Sequence, residues 1–189
     1  MAKELLQIQG GRLWTSLMDM AKIGATPLGG CNRQALTDLD KQGRDLFVDW
    51  AKAAGCAIRI DEMGNIFARK EGTHPAADPV LMGSHLDTQA TGGKFDGVYG
   101  VLAGLEVLRT LDDCGHRTVR PLEVAVWTNE EGCRFAPAML GSGVMSGTYS
   151  LDEAYASTDK DGIRLEDELS RIGYKGKLEA KARPYAAMF

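Results

Sequence analysis

Residues 79–132, PVLMGSHLDTQATGGKFDGVYGVLAGLEVLRTLDDCGHRTVRPLEVAVWTNEEG, contain two short apolar runs, PVLMGSHLD and PLEVAVWTNEEG, each closing in polar residues. Between them, GVLAGLEVLRTL has the length and apolar content of a helix. Near-continuous apolar runs of strand length are typical of strands buried on both faces. Strand, helix, strand in that order predicts an α/β layer with a partly parallel sheet, in which chemistry habitually sits in the loops after the carboxyl ends of strands. Both acidic clusters of the stretch, around Asp87 and around Glu130, fall there.

Upstream, TDLDKQGRDLFVDWAKAAG (37–55) opens with Thr37 as a candidate N-cap and Asp40 at the third following position. It places Leu39, Leu46, Phe47, Trp50 and Ala54 along one side and stops at Gly55, so a helix is predicted. A further helix is predicted over 4–22, where Leu5, Ile8, Leu13, Leu17, Met20 and Ile23 recur at roughly helical spacing despite Gly10-Gly11. CAIRIDEMGNIFARKEG (56–72) reads as a hairpin turning at Met63-Gly64-Asn65. Downstream, GSGVMSGTYS (141–150) reads as small-residue turns, GIRLEDELSRIGY (162–174) as a helix and RPYAAMF (183–189) as the beginning of a strand. No internal repeat is visible.

The 189 residues, 44% of them hydrophobic, suffice for one large domain with its own core. The 22 basic and 26 acidic residues leave a net charge of −4 without long runs, and the one basic cluster, from Arg171 to Arg183, is interrupted by Glu179. Neither nucleic acid nor an anionic membrane is an expected partner. Charges inside the N-terminal apolar residues exclude a secretory signal and no window approaches membrane-spanning length, so a cytoplasmic location is expected. Cys31, Cys56, Cys114 and Cys133 form no CxxC pair and read as reduced thiols, Cys133 as a small buried one.

The chemistry concentrates in GSHLDTQATGGKFDG (83–97). His85 and Asp87 are two apart, so in an extended strand both side chains leave on the same side, where a carboxylate could fix the imidazole tautomer. Gly92 and Gly93 permit the bends that bring Asp96 back toward His85. Glu130 and Glu131 then sit side by side at a strand's carboxyl end, where they repel unless a cation lies nearby. Consecutive side chains diverge, so one glutamate can ligate a metal while the other takes a proton from a bound water. Each piece alone is common on structural surfaces; the three clusters together favour a divalent-metal site. No phosphate-binding GxxxxGK[ST], HExxH or GxSxG occurs, and His74 and His116 read as solvated.

GSHLDTQATGGKFDGVYGVLAGLEVL followed by WTNEEGCRFAPAMLGS resembles the M20-type binuclear metallohydrolases, in the branch of N-carbamoyl-L-amino-acid hydrolase, β-ureidopropionase and allantoate amidohydrolase. The resemblance implies a zinc-peptidase-like, three-layer α/β/α catalytic domain with a mixed, partly parallel sheet. It implies two divalent metal ions, zinc as a rule with manganese, cobalt or nickel as substitutes. His85 would bind one, Asp96 would bridge both, Glu131 would bind the second, Asp87 would orient His85, and Glu130 would be the general base. An N-carbamoyl amino acid would be hydrolysed to the amino acid, ammonia and carbon dioxide. Gln89, a candidate substrate contact, and the run Arg134 to Ser142 resemble the carbamoylase side, whereas Ala90 stands where many relatives carry proline. The family continues into further histidine ligands, a lid and dimerisation domain, and a homodimer. Residues 1–189 are therefore expected to be the N-terminal portion of the catalytic domain, poorly active by itself, with a non-catalytic interaction remnant, an allantoate amidohydrolase or an M20 peptidase as alternatives.

Overall fold

The computed structural model describes residues 6–189, so Leu5 of the expected first helix lies outside the described residues. A mixed five-stranded sheet in the order β1-β2-β4-β3-β5 organises the chain. β1 (Ala57–Ile60) and β2 (Ile66–Lys70) form the expected hairpin, and β2 pairs antiparallel with β4 (Leu122–Trp127). β3 (Val80–His85) runs parallel to β4 and to β5 (Ala187–Met188), the strand expected from RPYAAMF. His85 is in register with Trp127, so β3 and β4 end side by side and the loops that follow them leave from one edge.

Helices α1 (Gly10–Met20), α2 (Asp38–Ala53) and α3 (Val98–Asp113) supply side chains to the main core. That core rests on Ile66, Ala68, Val124 and Val126, one face of the pleat. Phe67, Leu81 and Ala125, on the other face, meet Met145 of α4 (Leu140–Ser146) and Tyr185 in a smaller cluster. The crossover helix α3 fits closely against β3 because Gly100 faces Ser84; a Cβ at Gly100 would lie 2.8 Å from that of Ser84.

Thr37 caps α2 as expected, its hydroxyl accepting from the Asp40 amide at 3.2 Å. The buried face of α2 differs from the apolar reading. Leu39 is exposed, and the inward residues are Asp40, Gly43, Arg44, Phe47 and Ala51. Asp40 Oδ2 accepts from Arg44 Nε and from the Leu36 amide, both at 2.8 Å, while Arg44 also donates to the Gly64 carbonyl at 2.8 Å. Paired and hydrogen-bonded charges can occupy a core that periodicity assigns to leucine. α1 begins at Gly10, so residues 6–9 of the expected helix lie outside it, and the Gln9 amide just before it bonds Glu106 on α3.

GSGVMSGTYS is not a set of turns. Most of it forms α4, where Gly143 lies against the Tyr149 ring and smallness serves close packing. An unforeseen short helix, α5 (Leu151–Ala156), follows a Ser150–Glu153 capping box, and α6 (Leu165–Arg171) forms within the segment expected to be helical. Among the described residues no helix is long and apolar enough to cross a membrane.

At the hairpin turn Asp61, only 2% exposed, accepts from the Asn65 amide at 2.8 Å and from Asn65 Nδ2 at 2.9 Å. Asn65 in turn donates to the Gly141 carbonyl and accepts from the Thr128 amide, both at 3.0 Å, tying the hairpin to the end of β4. Burial pushes the Asp61 carboxyl up from 3.8 to about 6 against the opposing Asn65 bonds. The folded state therefore holds this proton more tightly than the unfolded state does. The stability that follows is complete below about 3.8 and lost as pH rises through about 6. Asp61→Asn removes that ionisation, so its stability relative to the parent is expected to improve by about 2 kcal/mol between pH ~4 and pH ~7. Urea unfolding at the two pH values reads the difference; a variant that keeps the parental pH slope refutes it.

Candidate metal centre

His85 is the last residue of β3, 5% exposed, and its Nδ1 lies 2.8 Å from the Asp87 carbonyl oxygen. A carbonyl only accepts, so this bond places a proton on Nδ1 and leaves the Nε2 lone pair facing outward. Nε2 lies 3.2 Å from Glu130 Oε2. A lone pair facing a carboxylate oxygen is repulsive unless a proton or a cation lies between them.

Asp87 holds the site in two ways. Its carbonyl orients the imidazole, while its carboxylate stands 3.8 Å from Nδ1, beyond hydrogen-bonding range. Oδ1 instead accepts from the Glu130 amide at 3.3 Å and Oδ2 from the Glu131 amide at 3.2 Å. Burial pushes this carboxyl up to about 6, with the charge of Asp40 adding and that of His85 opposing. The orienting contact expected from the carboxylate thus runs through the backbone, and the carboxylate fixes the twin-glutamate corner.

His85, Asp96 and Glu131 converge. Each offers one ligand atom, and these atoms lie within 4.8 Å of one another. Imidazole nitrogen with carboxylate oxygen suits zinc or manganese in donor type. Gly97, at φ +66°, lets the chain directly after Asp96 lie against the imidazole, since an added Cβ would overlap the His85 ring. Glu131 Oε1 is buried without a hydrogen-bond partner, as befits an oxygen meant for a cation. The residues fit a divalent metal.

Gly92 and Gly93, expected to supply the bends, do not adopt positive φ; Gly92 is instead bridged to Cys31, its amide donating at 3.0 Å and its carbonyl accepting at 2.9 Å. Gly97 is the glycine with the required backbone, and its place directly after Asp96 was the signal available in the sequence. Arg33, also missed, is fully buried and clamps the segment after β3: Nε donates to the Leu86 carbonyl at 2.8 Å, and the Arg33 amide donates to Thr88 Oγ1 at 2.8 Å. Nothing in the local pattern marks it. His74 and His116 are exposed as expected, and Cys133, expected to be buried, is exposed.

The model of Peptidase family M28 matches residues 65–187, a span that contains His85, Asp87, Asp96, Glu130 and Glu131. The chain belongs to peptidase family M28. This M28 chain is 55% identical over 183 residues to an N-carbamoyl-L-amino-acid amidohydrolase of Rhizobium meliloti, covering 97% of itself and 44% of that protein. It is 43% identical to an N-carbamoyl-L-amino acid amidohydrolase of Geobacillus stearothermophilus, over 88% of itself and 40% of that protein. The crystal structure of a hydantoinase/carbamoylase family amidase from Burkholderia multivorans superposes with a TM-score of 0.96 at 56% identity, over 97% of this chain and 45% of the other. The carbamoylase branch expected from the motifs is thus borne out by these relatives, and the matching family model carries the M28 name. The M28 chain spans less than half the length of these relatives.

Proposed function

We propose that the protein is a metal-dependent hydrolase of a carbon–nitrogen bond in a linear ureido or amide substrate, an N-carbamoyl amino acid foremost. The observation that carries this reading is the approach of His85, Asp96 and Glu131 donor atoms to within 4.8 Å at the carboxyl ends of parallel strands. The names of the Rhizobium meliloti and Geobacillus stearothermophilus relatives support the substrate class. His85, Asp96 and Glu131 would hold the divalent metal, zinc foremost. Three protein donors do not close a metal shell, so water or substrate would complete it.

Bound divalent cations supply Lewis-acid polarisation of the carbamoyl carbonyl and acidify water. The chain's own residues do the rest. Asp87 holds the Glu130 and Glu131 amides and so fixes the corner from which both side chains reach the site: Glu131 groups with His85 and Asp96, and Glu130, at 3.2 Å from His85 Nε2, is the carboxylate left to take a proton from water. Glu130 accepts the water's proton and returns it to the leaving nitrogen. Metal-loaded intact protein assayed for ammonia release is expected to turn over N-carbamoyl amino acids ahead of β-ureidopropionate and allantoate, and to stop on chelation. Turnover that survives metal removal, or cleavage of peptides alone, sinks the reading.

A further inference from the structure

We propose that Gln89 is a positioning residue for Glu131: its side-chain amide holds one carboxylate oxygen and so presents the other as the single ligating atom. The proposal rests on the metal reading given above. Gln89 Nε2 donates to Glu131 Oε2 at 3.1 Å, while Glu131 Oε1 is buried without a partner. A buried carboxylate oxygen with no donor is destabilising, a penalty that a cation removes. The two oxygens of Glu131 are thus already distinguished, one committed to an amide and one left for a metal.

The chemistry of an amide suits that task. It is neutral, so it fixes Oε2 without cancelling the negative charge that attracts a divalent ion, as a lysine would. Gln89 can do this because its backbone is anchored on both sides. Thr88 Oγ1 donates to the Gln89 carbonyl at 3.0 Å, the Gly92 amide donates to the same carbonyl at 3.2 Å, and the Arg33 carbonyl accepts from the Thr88 amide at 2.9 Å. With the main chain pinned, only the exposed side chain of Gln89 loses freedom on reaching across to Glu131. The bond to Glu131 uses one of the two Nε2 hydrogens, so this role stands beside the expected substrate contact of Gln89 and does not replace it.

The test compares the parent chain, Gln89→Met and Glu131→Ala in titrations with Co²⁺, followed by visible absorbance, and with Zn²⁺, followed by calorimetry. Partners that orient metal ligands typically contribute 10- to 100-fold in affinity. Gln89→Met is therefore expected to bind both ions at least about tenfold more weakly than the parent, and to shift the Co²⁺ absorption as Glu131 changes its coordination. Because Gln89 is exposed, the unfolding midpoint of the metal-free variant is expected to match the parent's. Parental affinity and spectrum in Gln89→Met overturn the proposal while the metal reading survives. A drop in the metal-free midpoint large enough to account for the lost affinity also overturns it, since the role would then be structural. A parent that binds neither ion, or a Glu131→Ala variant that binds them undiminished, overturns the metal reading and this proposal with it.

Discussion

On the proposed function, with Glu130 as general base, Glu130→Gln is expected to lower kcat by about 100- to 10,000-fold, while metal affinity stays within about threefold of the parent. The substitution keeps size and shape and removes only the ability to accept a proton. It should leave the scaffold alone, because Glu130 is fixed through its main chain: its amide donates to Asp87 Oδ1 at 3.3 Å and its carbonyl accepts from the Met139 amide at 2.8 Å. The Glu130 side chain itself is 31% exposed and meets His85 Nε2 at 3.2 Å, on the rim where water can enter. Glu131 stands differently, with one oxygen on Gln89 and the other buried. Metal content and steady-state kinetics on the same preparations separate the two roles. Loss of metal in step with loss of turnover in Glu130→Gln means that the two glutamates have been assigned the wrong way round.

Arg44→Met is expected to destabilise the fold by about 3–5 kcal/mol, the cost of stranding a buried partner charge. Asp40 is wholly inaccessible and Arg44 nearly so, and Asp40 Oδ1 has no partner even in the parent. Without the guanidinium, Asp40 would retain only the Leu36 amide at 2.8 Å. Arg44 also donates to the Gly64 carbonyl at 2.8 Å and to Thr128 Oγ1 at 3.3 Å, so its loss loosens the hairpin turn and the residue before the acidic corner. Adding Asp40→Asn neutralises the stranded charge and keeps an acceptor for Leu36, and most of the loss should return in the double variant. Urea denaturation near neutral pH measures both steps. A single variant within about 1 kcal/mol of the parent shows that the pair contributes little.

Much of this was legible in the chain. The strand–helix–strand reading of residues 79–132 located β3, α3 and β4, because strands and crossover helices carry their burial in local composition. Thr37 announced α2, since capping is a contact between residues three apart. His85, Asp96 and the Glu130-Glu131 pair were nameable because their residue types and places follow from order alone, whereas the choice of Glu131 as the ligand came from the family resemblance. What went astray depended on distant partners. α2 turns Asp40 and Arg44 inward because Gly64 and Thr128 wait there with oxygens, and α4 forms from a glycine- and serine-rich segment because Tyr149 packs against Gly143.

The sequence by itself determined the elements, their order and the residue types that carry the chemistry, since propensity, periodicity and capping are properties of neighbours along the chain. Only the tertiary structure decided which oxygen of Asp87 meets which amide, that Gln89 reaches Glu131, that Gly97 lies against His85, and that Arg33 lies beneath the Leu86 carbonyl. Those are contacts between loops brought together by the parallel register of β3 and β4, and hydrogen bonds of such directionality exist only once the sheet has set the distances.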